Sequence, residues 1–396
     1  MNFLINATIA NQYNVSRATV TAWVQNAKIG KNNLQLVESN GKFNILNNKS
    51  NEAELARLAS QGRRYKNLTN AKTVSVDSHF YDIFSAEEIV EIISDLRFKK
   101  EINLKFRYKN RGADLWDTYY LEDYNPVNDS AFNFLKHLIN DIEPFIPNNP
   151  SINLVDLGPG NAYPVKKLLG ELIDLKYIQK YLAIDIAPEM NDLAQKNINK
   201  WYPNLPVYKY EKDFETQRFG KILLENRGNL ASSFNLMLYI GNTITNSDDR
   251  IQVLKNIRSG MINKDLLVVT SSLDSLENRL ALDHVSKDKN SLKRQAWHLE
   301  MMGIDIEKCT TRVEYNEKIN AKVKYLILDK DYVIDFDFLN QKNQVELYNN
   351  DSIVIWKHFL TDLDKILFEI KQAKLSPLVI KLDKSKTNVM IICEGS

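Results

Sequence analysis

Short apolar runs alternate with amphipathic stretches through the middle of the chain. The runs are rich in Val, Ile and Leu and occupy residues 152–157, 181–186, 233–240 and 265–270. Helix-compatible stretches separate them, and this alternation predicts a doubly wound α/β sheet with parallel strands. A strand at 324–328 and a strand pair at 378–382 and 388–392 are predicted near the end, with helices at 85–96 and 131–142.

The first 75 residues have a different pattern. Val20, Trp23 and Val24 share one face of a predicted helix that starts near Arg17, and a shorter helix at 9–13 precedes it across a turn. A hairpin at 34–45 turns at Asn40-Gly41, and a charged helix follows at 52–64. The pattern IAxxxxVSRATVxxWV resembles the helix-turn-helix of the excisionase and MerR-like families, in which such a hairpin serves as a wing.

The strongest chemical signal is the segment Val155-Asp156-Leu157-Gly158-Pro159-Gly160. A strand ends there in a Gly-x-Gly turn, which lets the backbone approach a ligand closely. Asp185 falls at the end of the next strand, where a carboxylate can accept both hydroxyls of a ribose. The segment lacks the full dinucleotide fingerprint, but S-adenosylmethionine (SAM) needs no pyrophosphate cradle. A tight turn with a capping Asp is the structural alternative.

Two later strand ends add candidate residues. Asp213-Phe214 follows YKYEK, where an acid can bind the adenine amino group and an aromatic ring can pack on the base. The next strand end is expected to line the junction of cofactor and acceptor. Its candidates are Tyr239 and Gly241 for the cofactor, and Asn242 and Asn246 for the acceptor. An exposed turn at 213–214 and helix capping by the two asparagines remain open.

These motifs together resemble the histidine-specific Nα-methyltransferases of ergothioneine biosynthesis. The matching segments are LVDLGPGNAYPVKKLL, AIDIAPEM, KDF, LYIGNTITN and RYKNRGADLWDTYYLEDYNP. The resemblance implies a class I Rossmann-like SAM-binding core at 131–284 and 351–396. It also implies a substrate-covering lobe at 77–130 and 285–350. The separate resemblance to excisionase and MerR-like proteins predicts a small helix-turn-helix-like domain at 1–75.

The same resemblance suggests acceptor contacts. Tyr108 and Tyr124 match substrate-lobe tyrosines, and Asn246 matches an asparagine that grips the amino acid. The Glu and Ser with which the family recognises imidazole fall on Val354 and Trp356. A site that selects its ligand through buried polar pairs cannot lose both and keep that selectivity, so we expect an acceptor other than histidine. Trp356 either stacks on the acceptor or fills the core.

Charge separates the first 75 residues from the rest of the chain. They carry ten Lys and Arg against three Asp and Glu, whereas the whole chain has a net charge of +2. A basic module favours an anionic partner, and DNA contacts are expected from one set of side chains. The set is Arg17, Thr19, Thr21, Lys28, Lys31, Lys42, Arg63 and Arg64. Protein docking or dimerisation is the alternative for this module.

The composition favours a cytoplasmic protein and gives little support to a metal site. Cys309 and Cys393 lack a CxxC partner, and no apolar run reaches the ~18 residues that cross a bilayer. We therefore predict a SAM-dependent methyltransferase acting on a small amine, amino-acid-like or peptide acceptor. A DNA-binding regulator that senses SAM, and a nucleic-acid methyltransferase, are the alternatives. No catalytic residue and no oligomeric state are predicted.

Overall fold

The computed structural model describes most of the chain. The described residues are 3–4, 6–13, 17–28, 31–39, 42–62, 71–122, 130–228, 233–241, 243–247, 249–262, 264–281, 289–338 and 341–395. They form two compact units. The first comprises residues 1–75, 86–100 and 330–351, and the second comprises 76–85, 101–329 and 352–396.

A seven-stranded sheet organises the second unit. Its strands are β5 (Ser151–Leu157), β6 (Ile178–Asp185), β7 (Val207–Glu211), β8 (Ser233–Tyr239), β9 (Leu266–Ser272), β15 (Leu375–Leu382) and β16 (Asn388–Gly395). They lie in the order β15-β16-β9-β8-β5-β6-β7. The five strands from β9 to β7 are parallel, while β16 and β15 are antiparallel. This arrangement confirms the predicted Rossmann-like α/β core.

Helices cover both faces of the sheet because its strands are apolar on both sides. On one face Ile152 and Leu154 of β5 pack with α9 (Lys166–Asp174) and α10 (Pro188–Trp201). On the other face Val155 and Leu157 pack with three helices. These are α11 (Gly220–Asn226), α13 (Arg250–Arg258) and α16 (Leu363–Gln372). The chain order changes direction at β5, and ligands of such sheets bind beyond the carboxyl ends of the strands at this point.

Additional elements complete the second unit. Its shorter helices are α4 (Phe80–Ile83), α6 (Arg111–Glu122), α7 (Ser130–Leu135), α8 (Leu138–Ile142), α12 (Thr243–Asn246) and α14 (Leu276–Leu280), and a longer α15 spans Lys289–Met301. Two 3₁₀ helices span Leu104–Tyr108 and Glu143–Phe145. An antiparallel sheet consists of β10 (Thr310–Asn316), β11 (Ala321–Ile327) and β14 (Ser352–Phe359). The prediction of one continuous helix at 131–142 was wrong, because turns at 136–137 separate α7 from α8.

The first unit contains two small sheets. Strands β1 (Phe3–Leu4), β3 (Lys42–Leu46) and β2 (Leu36–Ser39) form the first, beside α1 (Asn6–Gln12), α2 (Arg17–Lys28) and α3 (Lys49–Gly62). Ile9, Val20, Trp23, Ile45 and Leu55 make up much of its core. Strands β13 (Gln341–Leu347), β12 (Tyr332–Phe338) and β4 (Lys72–Ser75) form the second, with α5 (Ala86–Phe98).

The two units group the chain differently from the domains predicted from sequence. The segments 77–130 and 285–350, predicted to form one lobe, are shared between the units. The predicted three-part division and the helix-turn-helix identity of residues 1–75 stay predictions. Within the described residues, no helix is long and apolar enough to cross a membrane.

Candidate active site

The glycine turn after β5 is closely covered by other side chains. Gly158 and Gly160 have φ angles of +73° and +55°, a region that L side chains rarely adopt. A Cβ atom on Gly158 would lie 2.9 Å from the Thr243 methyl group, and one on Gly160 would lie 2.6 Å from the Trp116 ring. The Gly158 N–H donates to the Ile184 carbonyl over 2.9 Å. Both positions therefore require glycine for conformation and for space.

Asp156 places a buried carboxyl group just before this turn. It is 1% exposed, and the Tyr181 hydroxyl donates to its Oδ2 over 2.6 Å. Its Oδ1 has no hydrogen-bond partner within the described residues. Burial raises the pKa of Asp156 to about 7, although the bond from Tyr181 opposes this shift. A ligand that donates to Oδ1 would stabilise the ionised form.

Asp185 ends β6, as the sequence predicts. Its carboxyl group is 8% exposed and accepts the Ala187 N–H over 2.9 Å. Burial raises the pKa of Asp185 to about 7, two backbone hydrogen bonds oppose the shift, and the charges of Asp156 and Glu189 add to it. Two buried carboxyl groups that both resist ionisation therefore lie near the carboxyl ends of β5 and β6, and a ligand that donates hydrogen bonds to them would stabilise their ionised forms.

Asp213 lies two residues beyond β7. Its Oδ1 accepts the Glu215 N–H over 3.0 Å, and the Lys105 ammonium lies 3.4 Å from its Oδ2. The side chains of Asp213 and Lys105 are 14% and 19% exposed, so this ion pair is largely shielded from solvent. Lys105 comes from the 3₁₀ helix at 104–108, and its contact with Asp213 has no counterpart in the sequence pattern.

Phe214 packs edge-on against Tyr239, with ring centroids 5.9 Å apart and an interplanar angle of 78°. Tyr239 is fully buried, and its hydroxyl is hydrogen-bonded to Ser247 over 2.8 Å. Burial raises the pKa of Tyr239 well above its usual range. The Tyr239 ring thus supports Phe214, which is only partly buried, from the core side.

Helix α6 and the residues before it cover the turn, which sequence reasoning missed. Trp116 stacks on Tyr120 with centroids 5.1 Å apart, and Asp117 accepts the Asn161 side-chain amide over 2.8 Å. Ala113 of α6, Ala187 and Met190 of α10 form a small apolar cluster, and Trp116 and Tyr108 each pack against it. The predicted acceptor residue Tyr108 is therefore adjacent to the segment that follows Asp185.

A cavity of about 520 Å³ opens beside this cluster. It is lined by Pro188 and Glu189 after β6, by Glu211 at the end of β7, and by Lys109 and Arg111 next to Tyr108. Its volume is in the range of small-molecule sites, and its lining combines these charged groups with the apolar side chains of Ile83, Pro188 and Met301.

The residues after β8 include two predicted site residues that the structure describes, Gly241 and Asn246. Gly241 has a φ angle of +69°, and its N–H donates to the Thr270 hydroxyl over 2.8 Å. Asn246 ends α12 and is partly buried. Asn242 and the predicted acceptor residue Tyr124 lie outside the described residues.

Trp356 lies close to α12. Its ring stacks on His358 with centroids 5.9 Å apart and an interplanar angle of 5°, and His358 Nδ1 is 3.2 Å from the Thr245 hydroxyl. Burial, and then the charge of Lys322, lower the pKa of His358 to about 3, so this imidazole is neutral. Trp356 is therefore linked through two contacts to the residue that precedes Asn246.

The predicted nucleic-acid residues of the first unit are mostly on its surface. Arg17, Thr21, Lys28 and Lys31 are exposed, and Thr19 is partly buried. The Lys28 ammonium lies 4.0 Å from the centre of the Phe43 ring. Lys42 belongs to β3, its side chain is not described, and Arg63 and Arg64 lie outside the described residues.

Within the part of the chain that the structure describes, no group of three or more His, Cys, Asp or Glu side chains is arranged to hold a metal ion. Cys309 and Cys393 are both buried free thiols.

Comparison with known proteins identifies one protein family whose model matches this chain. The family model described as histidine-specific methyltransferase, SAM-dependent, matches residues 86–358. No curated protein matches the chain. A SAM-dependent methyltransferase from Clostridium acetobutylicum ATCC 824 is 12% identical, with 72% of this chain and 100% of that chain covered and a TM-score of 0.42. Magnesium protoporphyrin IX methyltransferase from Synechocystis PCC 6803 is 9% identical, with 74% and 98% covered and a TM-score of 0.40.

Proposed function

The chain belongs to the family of histidine-specific, SAM-dependent methyltransferases, and from this premise we propose that it methylates a small amine, amino-acid-like or peptide acceptor other than histidine. One observation carries the proposal. The glycine turn at 158–160 and the buried carboxyl groups of Asp156 and Asp185 lie at the carboxyl ends of the neighbouring strands β5 and β6, and Tyr108 packs against the apolar cluster that includes Ala187, two residues after Asp185.

The groups at this edge fit SAM. Asp185 is a buried acceptor suited to ribose hydroxyls. Oδ1 of Asp156, which has no hydrogen-bond partner among the described residues, suits the ammonium of the methionine part. Asp213 and Phe214 suit the adenine amino group and ring. Gly158 and Gly160 have positive φ angles, and a Cβ atom there would strike Thr243 and Trp116, so the turn keeps its shape only with glycine at both positions.

Bound SAM supplies a methyl group on a sulfonium sulfur, which the lone pair of an amine can attack in line. The chain then has to hold the acceptor, align it and exclude water, which are large contributions to rate without a strong base. We assign positioning of the acceptor to Tyr108, Asn246 and Trp356, with Tyr124 and Asn242 as further candidates. Trp116 and α6 cover the glycine turn and shield the reacting atoms from solvent.

Exclusion of histidine rests on Val354 and Trp356. Where the family has a Glu and a Ser for imidazole, this chain has an aliphatic side chain and an indole that stacks on a neutral His358. Neither Val354 nor Trp356 can accept a hydrogen bond from imidazole through its side chain. Unpaired imidazole nitrogens would lose much of their binding free energy in such a pocket.

The acceptor is tested by incubating the protein with SAM and a panel of amines, amino acids and short peptides, and detecting methylated products by mass spectrometry. We expect product from at least one amine and none from histidine. A Val354→Glu/Trp356→Ser variant is expected to gain histidine turnover, whereas Trp356→Ala, as a matched control, is not. Efficient methylation of histidine by the unaltered protein would refute the exclusion.

A second candidate function concerns the first unit, namely binding of duplex DNA. It is supported by the exposed side chains of Arg17, Thr21, Lys28 and Lys31 on α2 and just after it, beside the β2–β3 strand pair. DNA binding would serve either a SAM-sensing regulator or delivery of a nucleic-acid substrate.

Fluorescence anisotropy with a labelled duplex at two salt concentrations tests this candidate. Binding is expected to weaken with salt, since neutralising phosphates releases counterions. An Arg17→Ala/Lys31→Ala variant is expected to weaken it further, and Lys196→Ala/Lys200→Ala on α10 should leave it unchanged. Equal affinity of all three proteins would exclude this surface.

A further inference from the structure

The turn that follows β7 is held by hydrogen bonds inside the second unit. The Asp213 carbonyl accepts the Gln217 N–H over 2.7 Å. The side-chain amide of Asn256 on α13 donates to the Phe214 carbonyl over 2.9 Å and to the Glu215 carbonyl over 3.2 Å. Asn256 is 4% exposed, so these bonds are shielded from water. The backbone that carries the Asp213 carboxyl group and the Phe214 ring is therefore fixed by the protein itself.

Lys105 approaches this turn from outside the seven-stranded sheet. It lies on the 3₁₀ helix Leu104–Tyr108, and its ammonium is 3.4 Å from Asp213 Oδ2. The side chains of Lys105 and Asp213 are only 19% and 14% exposed. Asp213 Oδ1 accepts the Glu215 N–H over 3.0 Å. Each carboxylate oxygen thus has a contact within the protein, and the two contacts together restrict rotation of the carboxylate.

The position of Lys105 is fixed by its neighbours on the 3₁₀ helix. The Asn103 side chain accepts the Lys105 N–H over 3.2 Å and caps the start of this helix. The next residue, Phe106, is fully buried and packs edge-on against Phe84, with ring centroids 5.7 Å apart. The Lys105 ammonium lies 5.0 Å from the centre of the Phe106 ring. A flexible side chain therefore starts from a rigid backbone and ends near a rigid ring, which lowers the entropy cost of holding it at Asp213.

Asp213 and Asp185 differ in what the cofactor can offer them. A ribose presents two hydroxyl donors to Asp185, whereas an adenine amino group directs one N–H at Asp213. One neutral donor cannot offset the free energy that it costs to take a carboxylate out of water. Lys105 supplies the additional positive charge, and a carboxylate with about four lone-pair sites can still accept a further hydrogen bond.

We propose that Lys105 is a positioning residue for the adenine of the cofactor. It holds the Asp213 carboxylate in the orientation that accepts a hydrogen bond from the 6-amino group, while Phe214 packs on the ring. The proposal rests on the methyltransferase function above and adds the residue through which the site prefers adenine to a purine with an oxygen at C6. Such a purine carries no donor on C6, so it leaves the buried acceptor unpaired.

Calorimetric titration with S-adenosylhomocysteine (SAH) and with S-inosylhomocysteine, which has an oxo group at C6, tests the proposal. The measured quantity is the preference for SAH, defined as the ratio of the two Kd values. We expect a preference of about 10–100-fold in the unaltered protein, because hydrogen bonds to charged groups are stronger than those between neutral groups. Lys105→Met keeps most of the length of the side chain without its charge, and we expect it to reduce the preference to about a tenth.

The preference separates positioning from a general loss of folding. Partial unfolding of a variant weakens the apparent affinity for both ligands by the same factor and leaves their ratio unchanged. The matched control is Lys308→Met, which removes a lysine whose ammonium lies 3.0 Å from Asp305 in another ion pair of the second unit. This variant should keep the preference of the unaltered protein.

A double-mutant cycle shows whether Lys105 acts through Asp213. Asp213→Asn should reduce the preference, because an amide can also donate to the oxo group, and adding Lys105→Met should reduce it no further. An unchanged or larger preference in Lys105→Met would overturn the proposal, as would additive losses in the cycle or the absence of any preference in the unaltered protein. Failure of the unaltered protein to bind SAH would instead refute the methyltransferase function on which the proposal rests.

Discussion

Buried carboxyl groups have compensating partners in the chain at the amino end of the parallel sheet, and among the described residues Asp156 and Asp185 lack basic partners at its carboxyl end. At the amino end, Asp265 is fully buried just before β9 and forms an ion pair with Arg227, whose Nη1 lies 2.6 Å from Oδ1. Asp265 also accepts the Asn235 N–H over 2.8 Å and the Ile262 N–H over 2.9 Å. The chain itself therefore compensates this carboxylate.

At the carboxyl end, Asp156 and Asp185 lack such compensation. No basic side chain is among the groups that act on them in the described residues, and burial raises the pKa of each to about 7. Within the described residues, Oδ1 of Asp156 has no hydrogen-bond partner. Asp265 therefore stabilises the fold through partners in the chain, whereas we propose that the partner of Asp156 and Asp185 is a ligand.

The largest expected effect of a single substitution on stability is at the amino end. Asp265→Ala leaves the buried Arg227 charge unpaired and should lower the free energy of unfolding by about 3–5 kcal/mol. Denaturant unfolding measures this change. Asp192→Ala, which removes the exposed partner of Lys209, should cost about 0–1 kcal/mol. Similar losses of unfolding free energy in both variants would show that the buried Arg227–Asp265 pair stabilises the fold no more than an exposed pair does.

Two glycines with similar φ angles separate the effect of backbone strain from the effect of contact at the candidate site. Gly160→Ala forces a Cβ against Trp116 at a φ of +55°, so we expect SAH affinity to fall about tenfold or more, which corresponds to at least about 1.4 kcal/mol. Gly228→Ala has the same backbone strain at a φ of +74° but meets no atom within 4 Å among the described residues. It should lower stability slightly and leave SAH affinity unchanged in calorimetry. A loss of affinity in Gly228→Ala alone would contradict the assigned site.

A smaller effect should appear as pH dependence at the carboxyl end. Ribose hydroxyls bind best to the ionised form of Asp185, whose pKa is about 7 in the free protein. SAH affinity should therefore be about tenfold weaker at pH 6 than at pH 8, from ionisation of Asp185 alone. Calorimetry at several pH values measures the SAH affinity. In the Asp185→Asn variant, this affinity should change less with pH.

Stability of the unliganded protein should change with pH in the opposite direction. The raised pKa values of Asp156 and Asp185 mean that the folded state binds more protons than the unfolded state between about pH 4 and 7. Their contribution to stability therefore grows as pH falls below 7 and is absent above it. Parallel changes in SAH affinity and stability would show that these carboxyl groups are compensated within the fold.

The sheet and the cofactor edge could be predicted from the sequence because their signals are local. The apolar runs lie within β5, β6, β8 and β9, and the turn at Gly158 and the acid at Asp185 directly follow two of these strands. Strand ends in a parallel sheet share one edge, so their residues converge whatever the details of packing.

The side chains that cover the candidate site could not be predicted from local sequence signals. Trp116 meets Gly160 and Lys105 meets Asp213 across long stretches of chain, and no periodicity links these pairs. The break between α7 and α8 at 136–137 interrupts an otherwise helical pattern without Gly or Pro.

Calorimetric titration with SAH, comparing the unaltered protein with Asp185→Ala, tests the central claim most directly. We expect the unaltered protein to bind SAH with micromolar affinity, about −8 kcal/mol, and the Asp185→Ala variant to lose this binding. Circular dichroism of both proteins should show that the fold is retained. Absence of SAH binding by the folded, unaltered protein, or equal binding by Asp185→Ala, would contradict the claim that these carboxyl groups await a SAM-like ligand.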